Sequence, residues 1–387
     1  MNVLHFSKKD FFFIDFENMQ ATLNLISSVA YARPTKLKLF KNLIIELAAL
    51  IKPFESRIHE LTQYHKRNNS PPPQSWIRQK DLFLLYSLVQ ANIISSDTIK
   101  TFYSSYYTFI ESLPEYSAEI DSGLIDNEMS KIFYNDQLNE LESAFKDPNM
   151  NSETEIKNKG IFSIKVEPFA IYDDYPNSSL IETAAFYGAS KCFRFLLLNK
   201  KEYNEKSNDT INNMLNNDTN NFPQISFNKI GLAVSNNEYE SNQIMNCAVA
   251  GSNPEIIRIC ESKGFSFNKT METAIFFHQN EIAKWLYEVK NMKYDINSLI
   301  ACMYSSNYEM FLEINQQNNQ HNLFSINDKG DHGVQSFFYS VPLDIAAFEG
   351  YMKFVKIFCN FPKINLLEIN DYVCEFFFWK ITNRLCN

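Results

Sequence analysis

Five stretches of this chain repeat one pattern, and the pattern leaves little choice of fold. The clearest copy reads Val341-Pro342-Leu343-Asp344-Ile345-Ala346-Ala347-Phe348-Glu349-Gly350, followed by an apolar stripe through Phe354, Val355 and Phe358. A second reads Ser179-Leu180-Ile181-Glu182-Thr183-Ala184-Ala185-Phe186-Tyr187-Gly188, followed by Cys192, Phe193, Leu196 and Leu197. Aligned on one apolar anchor, the five copies place Ile181, Met245, Met271, Leu299 and Leu343 together. Three residues later each has a small residue: Ala184, Ala248, Ala274, Cys302 and Ala346. Four further on each first helix is expected to end, at Gly188, Ser252, His278, Ser306 and Gly350. Small residues at a fixed step let helices approach closely, and repeats of this kind stack as helical pairs. Gly suits the left-handed backbone that stops a helix. Gly251 lies one residue early in the second copy, so its register is open by one.

The weaker copies are read as units at about 179–200, 243–263, 270–290, 297–315 and 341–360. Successive anchors stand 64, 26, 28 and 44 residues apart. The two short spacings leave no room for a hairpin, so those units read as bare helix pairs. The 64-residue gap holds an Asn-rich insert at 203–222, too polar to offset its ordering entropy. The 44-residue gap holds Gly330 to Ser340, read as a finger before the clearest unit. Cys374–Ile381 reads as a closing helix.

Residues 1–125 read as a separate helical module. Phe12, Phe16, Met19, Leu23 and Ile26 give a helix over 3–30, ended by Pro34. A second spans Lys36–Ile51, with Leu39, Leu43, Leu47 and Leu50 on one stripe. Asp81–Gln90 and Ser96–Glu111 follow, after a loop at Pro71-Pro72-Pro73. Asn127–Phe145 resembles half of a repeat unit, and Ile161–Phe169 alternates like a short extended segment. The fold class is therefore all-α: a helical module over 1–125, then a repeat region over 126–387. Nine Gly in 387 residues fit helices better than a β fold.

The repeat grammar resembles the ankyrin repeat, whose first helix reads roughly TPLHxAAxxG, and residues 341–350 match it best. The order of the weaker units is similar to an expanded, uncharacterised protist family with a helical N-terminal region, divergent ankyrin repeats and a DUF3447-like character. The resemblance covers about 125–370. It implies a divergent ankyrin solenoid with a protein-interaction role, and it implies no activity. The departures are the irregular spacing and the absence of a long regular array after the best copy.

In such arrays the two positions before each terminating residue face the concave side. Here they are Phe186/Tyr187, Ala250/Gly251, Phe276/Phe277, Tyr304/Ser305 and Phe348/Glu349. Two uses of this aromatic row fit the sequence: packing between units or beneath the N-terminal module, or anchoring a partner helix or peptide. The candidate partner-binding residues are Phe186, Tyr187, Phe276, Phe277, Tyr304 and Phe348.

Charge divides unevenly. Residues 1–80 carry twelve Lys/Arg against six Asp/Glu, and the remainder 24 against 39, so +6 faces −15. The basic charges are dispersed, with no aromatic stacking platform among them, and nucleic-acid binding is not expected. His59-Glu60 lacks the second histidine of a metalloprotease helix, and no phosphate loop, nucleophile elbow or zinc spacing occurs. The chain is therefore expected to be no enzyme and to hold no cofactor or metal. Seven Cys sit mostly in apolar helical patterns, like reduced buried thiols. No apolar run reaches the ~20 residues of a membrane span. A cytoplasmic location is expected, with the nucleus the alternative. The functional expectation is a non-enzymatic interaction scaffold or adaptor with a protein partner. One rival is an adaptor whose N-terminal module recruits a second machine such as a ubiquitin ligase. The other is an enzyme without a recognisable motif.

Overall fold

The computed structural model describes residues 16–55, 79–95, 128–147, 149–151, 154, 178–199, 242–321, 342–343, 346 and 352–359. They form helices and no β-strand, so the chain is all-α over these residues. The expected segments at 3–15, 68–73, Ser96–Glu111, Ile161–Phe169, 203–222, Gly330–Ser340 and Cys374–Ile381 lie outside them.

The N-terminal helices are α1 (Phe16–Ala32), α2 (Leu37–Glu46), α3 (Ala48–Ile51) and α4 (Gln79–Gln90), with a 3-10 turn over Pro34–Lys36. Met19, Leu23, Ile26 and Ala30 recur at three- and four-residue steps and are buried, giving α1 one apolar face. That face packs on α4, and α2 packs on both. The expected single helix over Lys36–Ile51 is broken at Leu47, and its expected stripe is corrected. Leu39 is 57% exposed and Leu50 41%, while Leu37, Ile44, Leu47 and Ile51 are buried. Leu37, Ile44, Leu47 and Ile51 themselves recur at helical steps, so the core lies against the face beside the expected stripe.

The remaining helices come in pairs. They are α5 (Glu128–Tyr134) with α6 (Leu138–Ala144), α7 (Leu180–Tyr187) with α8 (Ser190–Asn199), and α9 (242–251) with α10 (Pro254–Ser262). Next come α11 (Thr270–Phe276) with α12 (Asn280–Glu288) and α13 (Ile296–Ser305) with α14 (Tyr308–His321). Helical residues 342, 343 and 346 precede α15 (Met352–Cys359). The segment read as half a unit at 127–145 is thus a complete helix pair. First helices pack on first helices (α5 on α7, α11 on α13), and second on second (α6 on α8, α8 on α10).

Each first helix ends in a left-handed residue. The φ angles are +49° at Asp136, +71° at Gly188, +55° at Ser252, +54° at His278 and +55° at Ser306. Ser252, not Gly251, therefore ends α9. Gly251 is still helical and serves a different purpose. A Cβ there would lie 2.3 Å from the Phe186 carbonyl oxygen, so only glycine lets α9 close onto the end of α7. The small residues Ala184, Ala248, Ala274, Cys302 and Ala346 and the five anchors are all buried. One continuous apolar core runs from Met19 to Phe358 through the N-terminal helices and the pairs.

Candidate functional site

The candidate site is the aromatic face of the first helices, and the local sequence explains how it is held. Ser179 caps α7: its hydroxyl accepts from the Glu182 N–H, and the Glu182 carboxylate accepts from the Ser179 N–H at 2.8 Å. This reciprocal box fixes where α7 starts and hence where Phe186 and Tyr187 fall. Asp295 and Ser298 form the same box at α13.

A row of amide side chains sets the spacing between pairs. Each follows directly on a left-handed helix end. Asn253 Nδ2 donates to the Gly188 carbonyl at 2.8 Å, while its Oδ1 accepts from the Glu255 N–H. Gln279 Nε2 donates to the Ala250 carbonyl at 2.7 Å. Asn307 Nδ2 donates to the Ile275 carbonyl at 2.9 Å, and its Oδ1 accepts from the Met310 N–H. These amides satisfy orphaned carbonyls at the end of the preceding first helix, and Asn253 and Asn307 also cap their own second helix. At the first pair the direction reverses. Asp136 Oδ1 accepts from the Lys191 and Cys192 N–H groups at 3.0 Å each. His278 adds a further link, its Nε2–H donating to the Ser305 carbonyl at 2.9 Å.

On the outer side, exposed ion pairs join successive second helices: Arg194 with Glu255, Lys290 with Glu261, and Lys284 with Glu309. Exposed pairs of this kind contribute about 0–1 kcal/mol each. The amide row is therefore the stronger fixture, because Gln279 and Asn307 are buried.

The structure brings most of the candidate rings together, but into the chain's own packing. Phe277 is 1% exposed and Phe186 9%. Phe186 meets Phe277 at a centroid distance of 6.0 Å, and Phe277 meets Phe276 at 5.4 Å. Tyr31, from the end of α1, lies 6.1 Å from Phe277 and 6.2 Å from Phe276. Phe186 and Phe277 are thus buried among the chain's own rings, Phe277 against Tyr31 of α1 and Phe186 against Phe277. Tyr187, which meets Phe186 at 5.8 Å, Phe276 and Tyr304 are half-buried. Phe348 lies outside the described residues.

Two residues that the repeat pattern does not reach complete the site. Tyr31 is one, and burial pushes its phenol above the usual range. Arg33 is the other. Its Nη1 donates to the Phe277 carbonyl and to the Ala32 carbonyl, both at 3.0 Å. Burial lowers the guanidinium pKa. The available signal is an aromatic and a cation at a helix end directly before Pro34.

Four thiols belong to this core. Burial pushes Cys192 and Cys260 up to about 12, and Cys247 and Cys302 well above the usual thiol range. Buried thiols of this kind are inert. A cleft of about 540 Å³ lies between α8 and α10, lined by Arg194, Asn253, Glu255 and Arg258. Its Arg194 is engaged by Glu255. Among the described residues no helix is long and apolar enough to cross a membrane.

No curated protein and no solved structure matches the chain. Residues 236–314, which hold α9 to α13 and the first half of α14, match the family model described as Domain of unknown function (DUF3447).

Proposed function

We propose that this chain is a non-enzymatic scaffold that recognises another protein through the first-helix face of a divergent ankyrin-like solenoid. One observation carries the reading. The pairs are bonded to one another at each first-helix end by Asn253, Gln279 and Asn307, which makes a preorganised surface several units long. The half-buried Tyr187, Phe276 and Tyr304 are the rings on that face with surface still to offer. Inert, buried thiols suit a reducing compartment, so the cytoplasm or nucleus is the proposed location.

The test is affinity capture with mass spectrometry from the source cell. Wild type is compared with a folded variant carrying Tyr187→Ala, Phe276→Ala and Tyr304→Ala. Loss of a specific partner from the variant supports this face. An unchanged partner list removes it.

The adaptor reading also has an observation in its favour. Leu39, Ile45 and Leu50 are exposed on α2 and α3 by 57%, 39% and 41%. Exposed apolar residues on the N-terminal helices suit a second docking surface for recruited machinery. Leu39→Glu with Leu50→Glu would then remove one partner and leave the partner of the first-helix face in place.

A further inference from the structure

The seams within the molecule are not equal. Inside the array, Asn253 and Asn307 each bond backbone groups of two successive pairs, over a continuous apolar core. The join between the N-terminal helices and the array is built differently. Among the described residues Arg33 crosses it, its guanidinium donating to the Phe277 carbonyl. Among the described residues no carboxylate pairs with Arg33, and this partly buried cation is met by the Ala32 and Phe277 carbonyls at the ends of α1 and α11. Tyr31 also crosses it, set against Phe276 and Phe277. Beyond that corner, α1 touches α13 and α15. Met19, Leu23, Phe83 and Leu88 pack the N-terminal helices on one another, within the apolar cluster that continues into the array.

We propose that the N-terminal helices are a displaceable cover over the first-helix face, latched by Arg33 on the Phe277 carbonyl. The chain is its own occupant of that face, and a protein partner reaches the rings only when the latch opens. This regulation rests on the scaffold reading above. The cover exchanges with the partner by competition, so the partner's apparent affinity falls in proportion to the fraction of molecules that are open.

The test uses the full chain and hydroxyl-radical footprinting read by mass spectrometry, with no partner added. Arg33→Ala leaves Tyr31 and every array residue in place. Its expected effect is about a tenfold rise in oxidation of Phe276 and Phe277, the population change produced by losing one charge-assisted hydrogen bond. Phe193 and Phe311, fully buried inside the array, should stay protected. Arg33→Lys keeps a charge and a donor and should restore much of the protection. Unchanged oxidation of Phe277 in Arg33→Ala overturns the latch. A parallel rise at Phe193 and Phe311 also overturns it, because cover and array then open only by unfolding together. Since no partner enters the measurement, its failure leaves the scaffold reading standing, and a failed partner search leaves the latch standing.

Discussion

Arg33 and Phe277 stand 244 residues apart and share a 3.0 Å hydrogen bond from the guanidinium to a helix-end carbonyl. The bond joins the end of α1 to the end of α11, where Tyr31 also packs on Phe276 and Phe277. At this corner α1 covers Phe277, a ring that the repeat pattern alone would face outward. The chain's own N-terminal helices use the surface first.

Two adjacent residues should respond in opposite directions. Gly251→Ala puts a Cβ against the Phe186 and Ala185 carbonyl oxygens, backbone atoms that cannot swing away. The expected loss is about 2–4 kcal/mol in urea unfolding. Ser252→Gly relieves a left-handed residue at φ +55° and should gain about 0.5–1 kcal/mol. Equal effects at the two positions would show that α9 does not close on α7 as described.

The left-handed ends are legible in the sequence because they recur at a fixed step from a small buried residue, even where Gly is replaced by Ser or His. The all-helical class follows from the same periodicity. The destination of the aromatic row is not legible. Whether Phe277 faces solvent or Tyr31 depends on a contact between distant segments, and no local pattern encodes it. The N-terminal stripe fails for a local reason. Leu39, Leu43, Leu47 and Leu50 fit a helical stripe, but so do Leu37, Ile44, Leu47 and Ile51 on the adjoining face, and the second set is the one turned inward. The bonds of Asn253, Gln279 and Asn307 also escape the pattern, because an amide after a turn reads as ordinary loop composition.

Asn307 should be the most sensitive of the amide row. It is 2% exposed and bonds the Ile275 carbonyl, the Asn280 side chain and the Met310 N–H. Asn307→Ala leaves buried groups of both pairs without partners, a loss of about 1–3 kcal/mol. Asn253→Ala, at a more exposed site, should lose about 1 kcal/mol. Chemical denaturation of the two variants under one condition gives the ranking, and a reversed order would count against the burial of Asn307.

Thiol chemistry should be slow at four positions. Cys192, Cys247, Cys260 and Cys302 are buried with raised pKa values. Peptide-resolved alkylation at pH 8 should leave them unmodified in the native chain and modify them at the rate of global unfolding. Rapid labelling of any one in folded protein would place it at a surface.

Stability should fall as pH rises from about 4.5 to about 7, through Glu272. Burial pushes its carboxyl up to about 7, and the nearby Asp295 carboxylate adds to the shift. The folded chain therefore holds a proton that the unfolded chain, with an ordinary carboxyl near 4.5, has already released. Below about 4.5 both states are protonated and the group makes no difference. Between the two values the unfolded state binds fewer protons, so each step up in pH favours it, and above about 7 the full penalty of a partly buried carboxylate remains. Glu272→Gln is neutral at every pH and removes the slope. It should gain about 1–3 kcal/mol at pH 8 and almost nothing at pH 4. Urea unfolding of both proteins at pH 4, 6 and 8 separates this from a general effect of charge. A uniform gain at all three values would mean improved packing, and a gain that grows on acidification would reverse the sign and rule out a raised carboxyl at Glu272.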